Sequence, residues 1–231
     1  MFDVSRIALV GSTGLIGRKV METCVGREDL RLTAVSRREA PLPKGARMEM
    51  FVAEPDKWGE VFEAVKPVSL ICALGTTMRK SGGDQEQFRA VDQELVLKVA
   101  HAALRAGVKR LVTISSVGAD ALSSNFYLKV KGETDRELMH MKFDRLDILR
   151  PGLLRGFRGL DTRPAEQIGQ IVSPLANLAL HGGMRRYRAI RAQRVAEACL
   201  ALAIRKAGGK FRHEYDSIVQ AAKSLPRIDA D

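Results

Sequence analysis

The feature that most restricts this chain is a glycine turn close to its start. Arg6 to Val10 is a short apolar run that leads straight into Gly11-Ser12-Thr13-Gly14-Leu15-Ile16-Gly17, and Leu15 to Val25 then carries apolar residues at helical spacing. Three glycines at three-residue spacing between a strand and a helix leave few folds open. Glycine lets the backbone turn sharply, approach a ligand closely and bring helix against strand. The first N–H groups of the helix have no partners within it and carry the positive end of its dipole, which suits a pyrophosphate. The same triplet in an arbitrary loop would be only a structural turn; after an apolar strand it predicts a dinucleotide site built on residues 11–17.

The rest of the chain alternates in the way such a site requires. Leu30 to Ser36 reads as a second strand, Met48 to Val52 as a weak third and Trp58 to Val65 as a helix. Val68 to Leu74 is continuously apolar, as expected of a central parallel strand covered on both faces. A long helix is predicted over Gln85 to Arg105, ended by Gly107, followed by a strand over Lys109 to Ser115. Asn125 to Met141 reads as a helix and Arg145 to Leu149 as a strand, stopped by Pro151-Gly152. Ala165 to Leu180 and Arg191 to Arg205 look helical, with short strands expected near Tyr187 and Phe211. This order predicts an α/β fold, a doubly wound parallel sheet of the Rossmann type in one domain over residues 1–231, with a small substrate-side lobe from about Leu153 onward.

The end of the second strand bears on which dinucleotide is held. A dinucleotide lacking the 2′-phosphate is usually met there by a carboxylate, whereas Val35-Ser36-Arg37-Arg38 offers two guanidinium groups before Glu39. A guanidinium binds a phosphate bidentately, so NADP(H) is the expected cofactor, with Arg37 and Arg38 on the 2′-phosphate; the alternative is a plain basic loop. Tyr127 and Lys131 are four residues apart on a helix and share one face, while Ser115 and Ser116 end the fifth strand at the carboxyl edge, where ligands bind. A free tyrosine titrates near pH 10, and a neighbouring ammonium lowers that value toward neutrality. A serine hydroxyl can polarise a carbonyl beside it.

In these motifs the chain resembles the short-chain dehydrogenase/reductase superfamily, in its atypical branch with the Gly-x-x-Gly-x-x-Gly turn, and more narrowly the Tat-interacting-protein oxidoreductase group. The resemblance is carried by Cys72-Ala73-Leu74-Gly75-Thr76-Thr77, the run from Ile114 through Ser115-Ser116 to Gly118-Ala119-Asp120, and Ser123-Ser124-Asn125-Phe126-Tyr127. It continues through Lys131-Gly132-Glu133, Phe143-Asp144-Arg145, Arg150-Pro151-Gly152 and Arg163-Pro164. It implies that Gly11, Ser12, Thr13, Gly14, Leu15, Ile16 and Gly17 hold the pyrophosphate and that Leu74, Gly75 and Thr76 run past the riboses. It further implies Ser116 and not Ser115 as the catalytic serine, Tyr127 as acid/base, and Lys131 on the nicotinamide ribose. Pro151, Leu153 and Leu154 would pack against the nicotinamide. Many members of the family carry an asparagine in the long helix that orders a relay water; Asp92 stands at that position here.

Composition narrows the partners. The net charge is +11, and residues 151–212 hold twelve Lys/Arg against three Asp/Glu. No nucleic-acid-binding motif accompanies the charge, so a solvated basic face is favoured over nucleic acid, with Arg158, Arg163 and Arg185-Arg186 as candidate contacts to an acidic substrate or the cofactor. Cys24, Cys72 and Cys199 and the four histidines lack metal-ligand spacing, so neither a metal nor a disulfide is expected. No apolar run reaches the roughly 18 residues of a membrane span, and no leader pattern precedes the glycine turn, which together predict a cytoplasmic protein. The expected activity is an NADP(H)-dependent interconversion of a carbonyl/alcohol pair by Ser116, Tyr127 and Lys131. The alternative is an NADP(H)-binding regulatory or scaffold protein acting through a protein partner. Nucleotide-sugar epimerisation ranks third, because the C-terminal part is short for such a substrate domain. The long helices 85–105 and 125–141 allow either a monomer or a homodimer.

Overall fold

The computed structural model describes residues 4–79, 81–155 and 180–226. Seven parallel strands form the central sheet in the order β3-β2-β1-β4-β5-β6-β9. They are β1 (Ser5–Val10), β2 (Leu30–Ser36), β3 (Glu49–Val52), β4 (Ser69–Cys72), β5 (Arg110–Ile114), β6 (Arg145–Leu149) and β9 (Gly209–His213). The chain runs outward from β1 through β2 to β3 and then returns to place β4 on the other side of β1. That reversal opens a crevice at the carboxyl ends of β1 and β4, where doubly wound sheets bind their ligands.

Strand alternation divides the core between the two faces. Ile7 and Leu9 of β1 pack with α1 (Leu15–Thr23), α6 (Ala192–Ala203) and α7 (Tyr215–Lys223), through Val20, Met21, Val195, Cys199, Leu200 and Ile218. Ala8 and Val10 point the other way, into a cluster with Trp58 and Phe62 of α2 (Trp58–Val65), Val96 and Val99 of α4 (Val96–Arg105) and Leu138 of α5 (Phe126–His140). Both faces are therefore covered, and this is why β1, β2 and β4 read as apolar runs.

Local sequence accounts for the element ends. Asn125 caps α5 by accepting from the Leu128 N–H at 3.1 Å, and Gly107 follows α4 with φ +79°. The expected single helix over 85–105 is instead three segments: α3 (Gln85–Arg89), a π-helical stretch Ala90–Leu95, and α4. β4 is shorter than expected because Ala73 and Leu74 leave the strand where Gly11 approaches them. Tyr187 lies at the end of a 3₁₀ segment, Gly182–Tyr187, and not in a strand. The nearby strand is β8 (Ile190–Arg191), paired with β7 (Leu154–Arg155) in a separate two-stranded sheet. The strand expected near Phe211 is β9, which extends the main sheet beside β6. Most of the helix expected over 165–180 lies outside the described residues.

One glycine fixes the helix that matters most to the carboxyl edge. A Cβ on Gly132, in the middle of α5, would sit 2.1 Å from the Asp120 carbonyl carbon and 2.2 Å from the Ala121 nitrogen. The α5 backbone is thus pressed against the loop that leads into it. Gly132→Ala is expected to destabilise the protein by about 3 kcal/mol, the upper end of overpacking costs. Gly183→Ala, where no atom lies within 4 Å of the new Cβ, should leave the urea midpoint nearly unchanged; equal midpoints for the two variants would refute this account.

Candidate functional site

The glycine turn closes on itself. Gly11 takes φ +82°, the Gly14 N–H donates to the Gly11 carbonyl at 3.0 Å, and a Cβ on Gly17 would lie 2.2 Å from that same oxygen. A Cβ on Gly11 would meet the Ala73 carbonyl carbon at 2.5 Å, so the turn also presses on the segment leaving β4. Helix α1 starts without a side-chain cap, which leaves its first N–H groups directed into the crevice. Ser12 is fully buried and its Oγ has no hydrogen-bond partner among the described residues. A buried hydroxyl without a partner normally costs free energy. A tight backbone cradle, an uncapped helix start and this hydroxyl together fit a phosphate-bearing cofactor.

Along the carboxyl edge, the residues singled out in the sequence follow one another in strand order. Arg37 and Arg38 extend beyond β2, both exposed and neither in an ion pair among the described residues. The Ser36 hydroxyl donates to the Arg38 carbonyl and fixes the path of that loop. Leu74, Gly75 and Thr76 continue from β4, Gly75 with φ +157°. Ser116 follows β5, where the Ser115 N–H bonds the Leu149 carbonyl at 2.7 Å and the Val117 N–H bonds the Pro151 carbonyl at 3.0 Å. Pro151 is buried, whereas Leu153 is exposed and Leu154 lies in the small sheet.

Tyr127 and Lys131 lie on the face of α5 turned toward this edge. The Tyr127 ring packs on Phe88 of α3 with centroids 5.4 Å apart. Lys131 is buried, and its Nζ lies 2.6 Å from Asp92 Oδ1 and 3.5 Å from the Ile114 carbonyl. Asp92 is also buried, and its second oxygen, Oδ2, accepts the Thr76 N–H at 2.7 Å. The sequence placed Asp92 beside a relay water; the structure adds a direct ion pair with the lysine. Burial is the largest influence on Lys131 and opposes its charge, yet Asp92, Tyr127 and Asp135 outweigh it and hold the ammonium above the usual lysine range. Linkage follows from that direction: the stability contributed by the charged form is complete below the ordinary value of 10.5 and is lost as pH rises through the higher folded value.

A second buried pair backs the first. Asp135, one helical turn after Lys131, accepts from Arg150 Nε at 2.8 Å, and the same oxygen lies 2.7 Å from Arg150 Nη2. Burial pushes its carboxyl above the usual range despite the opposing pull of Arg150 and Ser115. The three cysteines are buried free thiols; burial raises Cys72 to about 11 and Cys24 to about 12. Among the basic residues beyond Pro151, Arg185 pairs with Asp216 of α7 at 2.7 Å and Arg186 stacks over Tyr187. Arg158 and Arg163 lie outside the described residues. No helix among the described residues is long and apolar enough to cross a membrane.

Comparison with known proteins agrees with this geometry. The model of a family described as NAD(P)H-binding matches residues 11–204. Protein fmp52, mitochondrial, of Aspergillus niger is 34% identical over 215 residues, covering 90% of each chain. Protein HTATIP2 of Rattus norvegicus is 34% identical over 168 residues, covering 71% of this chain and 68% of its own. The Bordetella bronchiseptica enzyme WbmG in complex with NAD has the same fold, with a TM-score of 0.64 at 15% identity, over 90% of this chain and 72% of that one. The relation to the short-chain dehydrogenase/reductase superfamily and its Tat-interacting-protein group therefore holds. The cytoplasmic location expected from the sequence does not: the Aspergillus niger relative and its counterparts in other fungi are named as mitochondrial proteins. A compartment is set by an address that receptors read, and neither core composition nor the lack of a membrane span carries that information.

The buried pair makes a stability prediction. Lys131→Met and Asp92→Ala should each destabilise the protein by about 3–5 kcal/mol, because each leaves one buried charge unpaired. The double variant should cost clearly less than the sum of the two, measured by denaturant unfolding. Simple additivity would mean that the two charges do not interact.

Proposed function

Taking as premise that the chain belongs to the NAD(P)H-binding family, we propose that it is an NADP(H)-dependent oxidoreductase acting on a carbonyl/alcohol pair through Ser116, Tyr127 and Lys131. The observation that carries this reading is the buried Lys131 ammonium, held by Asp92 at the end of β5, one helical turn from Tyr127 on the same face of α5. A scaffold that only bound a nucleotide would not need Ser116, Tyr127 and Lys131 together.

In this reading the turn Gly11–Gly17, through the first N–H groups of α1 and the Ser12 hydroxyl, holds the pyrophosphate, with the α1 dipole adding to the attraction. Arg37 and Arg38 hold the 2′-phosphate, a task suited to two exposed guanidiniums without ion-pair partners among the described residues. Leu74, Gly75 and Thr76 border the riboses, and Lys131 binds the nicotinamide ribose. Pro151, Leu153 and Leu154 supply the apolar wall beside the nicotinamide. When bound, the cofactor gives or takes the hydride. Ser116 donates a hydrogen bond to the substrate oxygen and polarises the carbonyl. The Tyr127 hydroxyl gives that oxygen its proton in reduction and removes it in oxidation, and the ammonium of Lys131 favours the phenolate this leaves.

NADPH and NADH titrations followed by a carbonyl-compound screen test the reading. Arg37→Ala with Arg38→Ala should weaken NADPH binding by roughly tenfold or more and leave NADH nearly unchanged, since only the 2′-phosphate contacts are lost. Tyr127→Phe should keep NADPH binding and lower kcat/KM by about 10²–10⁴-fold, the usual worth of a general acid–base group. Tight NADPH binding with no turnover on any carbonyl compound would favour the regulatory role instead. Equal affinity for NADH and NADPH in the unmodified protein would overturn the assignment of Arg37 and Arg38.

A further inference from the structure

Asp92 stands at an unusual place in the backbone. The helix that carries it is α-helical over Gln85–Arg89 and again over Val96–Arg105, but π-helical over Ala90–Leu95 between them. A π turn holds one residue more than an α turn, bulges outward, and recurs at functional positions. Here the bulge carries Asp92, whose carbonyl lies 3.2 Å from the Thr134 hydroxyl of α5. The side chain reaches between two other elements and spends one oxygen on each: Oδ1 faces Lys131 Nζ at 2.6 Å and Oδ2 takes the Thr76 N–H at 2.7 Å.

The space around the carboxylate is filled on its third side too. A Cβ on Gly75 would lie 3.3 Å from Asp92 Oδ1 and 3.8 Å from Lys131 Nζ. The loop after β4 therefore passes directly over the pair, and its two preceding residues, Ala73 and Leu74, are the ones Gly11 presses against. A continuous line of close contacts runs from the glycine turn through Ala73–Thr76 to Asp92 and on to Lys131.

We infer that Asp92 is a positioning residue that couples the loop Ala73–Thr77 to Lys131, so that neither keeps its place without the other. The inference rests on the reading above, in which that loop and Lys131 border one cofactor. In this chain the arrangement suits a carboxylate. One carboxylate oxygen accepts the Thr76 N–H and the other forms the ion pair with the Lys131 ammonium, whereas an amide has one acceptor oxygen and a donor NH₂. In Asp92→Asn the single amide oxygen can take only one of the two places these donors face, and the NH₂ at the other place opposes the donor there. With Lys131 removed as well, the amide oxygen is free for the Thr76 N–H and the conflict ends.

Two measurements on the full chain test the coupling, with circular dichroism and thermal melting confirming that each variant is folded. The first is hydrogen exchange, read by mass spectrometry on peptides spanning residues 73–79. Asp92→Asn should speed exchange at the Thr76 amide at least tenfold, while Asp92→Asn combined with Lys131→Met should return it to within about threefold of Lys131→Met alone. The second is NADPH affinity: Asp92→Asn should weaken it about tenfold with Lys131 present and less than threefold in the Lys131→Met background. Unchanged Thr76 exchange in Asp92→Asn, or the same loss of affinity in both backgrounds, overturns the coupling. The exchange measurement needs no cofactor. Should the unmodified protein bind neither NADPH nor NADH, the functional reading falls while exchange still decides the role of Asp92.

Discussion

The carboxyl edge of this protein depends on how closely three stretches of backbone approach one another around Gly11 and Gly17. The Gly11 carbonyl occupies the place where a Gly17 side chain would begin, and the Ala73 carbonyl occupies the place where a Gly11 side chain would begin. Side chains larger than hydrogen would force these segments apart, because packed backbone has no flexible end to give way. The approach sets the start of α1 against the end of β1 and turns the chain after Ala73 across the top of the crevice. Every other group at the edge is placed relative to that frame, including Asp92 through its bond to Thr76.

Beneath the edge the protein buries charge, and among the described residues each buried charge has its counterpart. Lys131 meets Asp92, and Arg150 meets Asp135. Asp147 of β6 is held bidentately by Arg145 at 2.6 and 2.9 Å, with the His213 ring nitrogen at 2.8 Å from β9. Such pairs contribute little net stability, since desolvation offsets most of the attraction, but losing one member is costly. Their effect is to select among arrangements: α5 can sit only where both Asp92 and Arg150 are met, and β9 only where Asp147 is. The pair Arg145–Asp147 with His213 ties the last strand to the sheet far from the glycine turn. The pair Lys131–Asp92 is the one that reaches the crevice.

Much of this was legible in the sequence, for reasons that also explain what was not. β2, α2 and β6 match their expected bounds because strong apolar patterns there end at clear stops, such as Arg37-Arg38 and Pro151. The π turn was invisible: one extra residue shifts the apolar period too little, over twenty residues, to break a helical reading. Helix α7 was missed because Ile218, Ala221 and Ala222 are its only fully buried side chains, too few to stand out among polar neighbours. At the candidate site, the glycine turn stood out by its place between strand and helix, and Tyr127 and Lys131 only when joined to that turn and to Ser115-Ser116. The engagement of Asp92 with Lys131 did not stand out, since the two are brought together only by the packing of the long helix on α5.

That engagement also divides the work among the cations, if the proposed function is taken as the frame. Lys131 is charge-compensated by Asp92 before any ligand arrives, so little of its field extends into the crevice. Long-range attraction of an anionic cofactor then falls to the exposed groups, the start of α1 with Arg37 and Arg38, whose fields reach into solvent and are screened by salt. Lys131 acts at contact distance only, where orientation counts more than attraction. A lysine left uncompensated in the same place would be driven by burial to give up its proton and would lose its effect on Tyr127. The aspartate thus keeps the ammonium charged at the cost of its reach, which suits the contact-distance role proposed for Lys131.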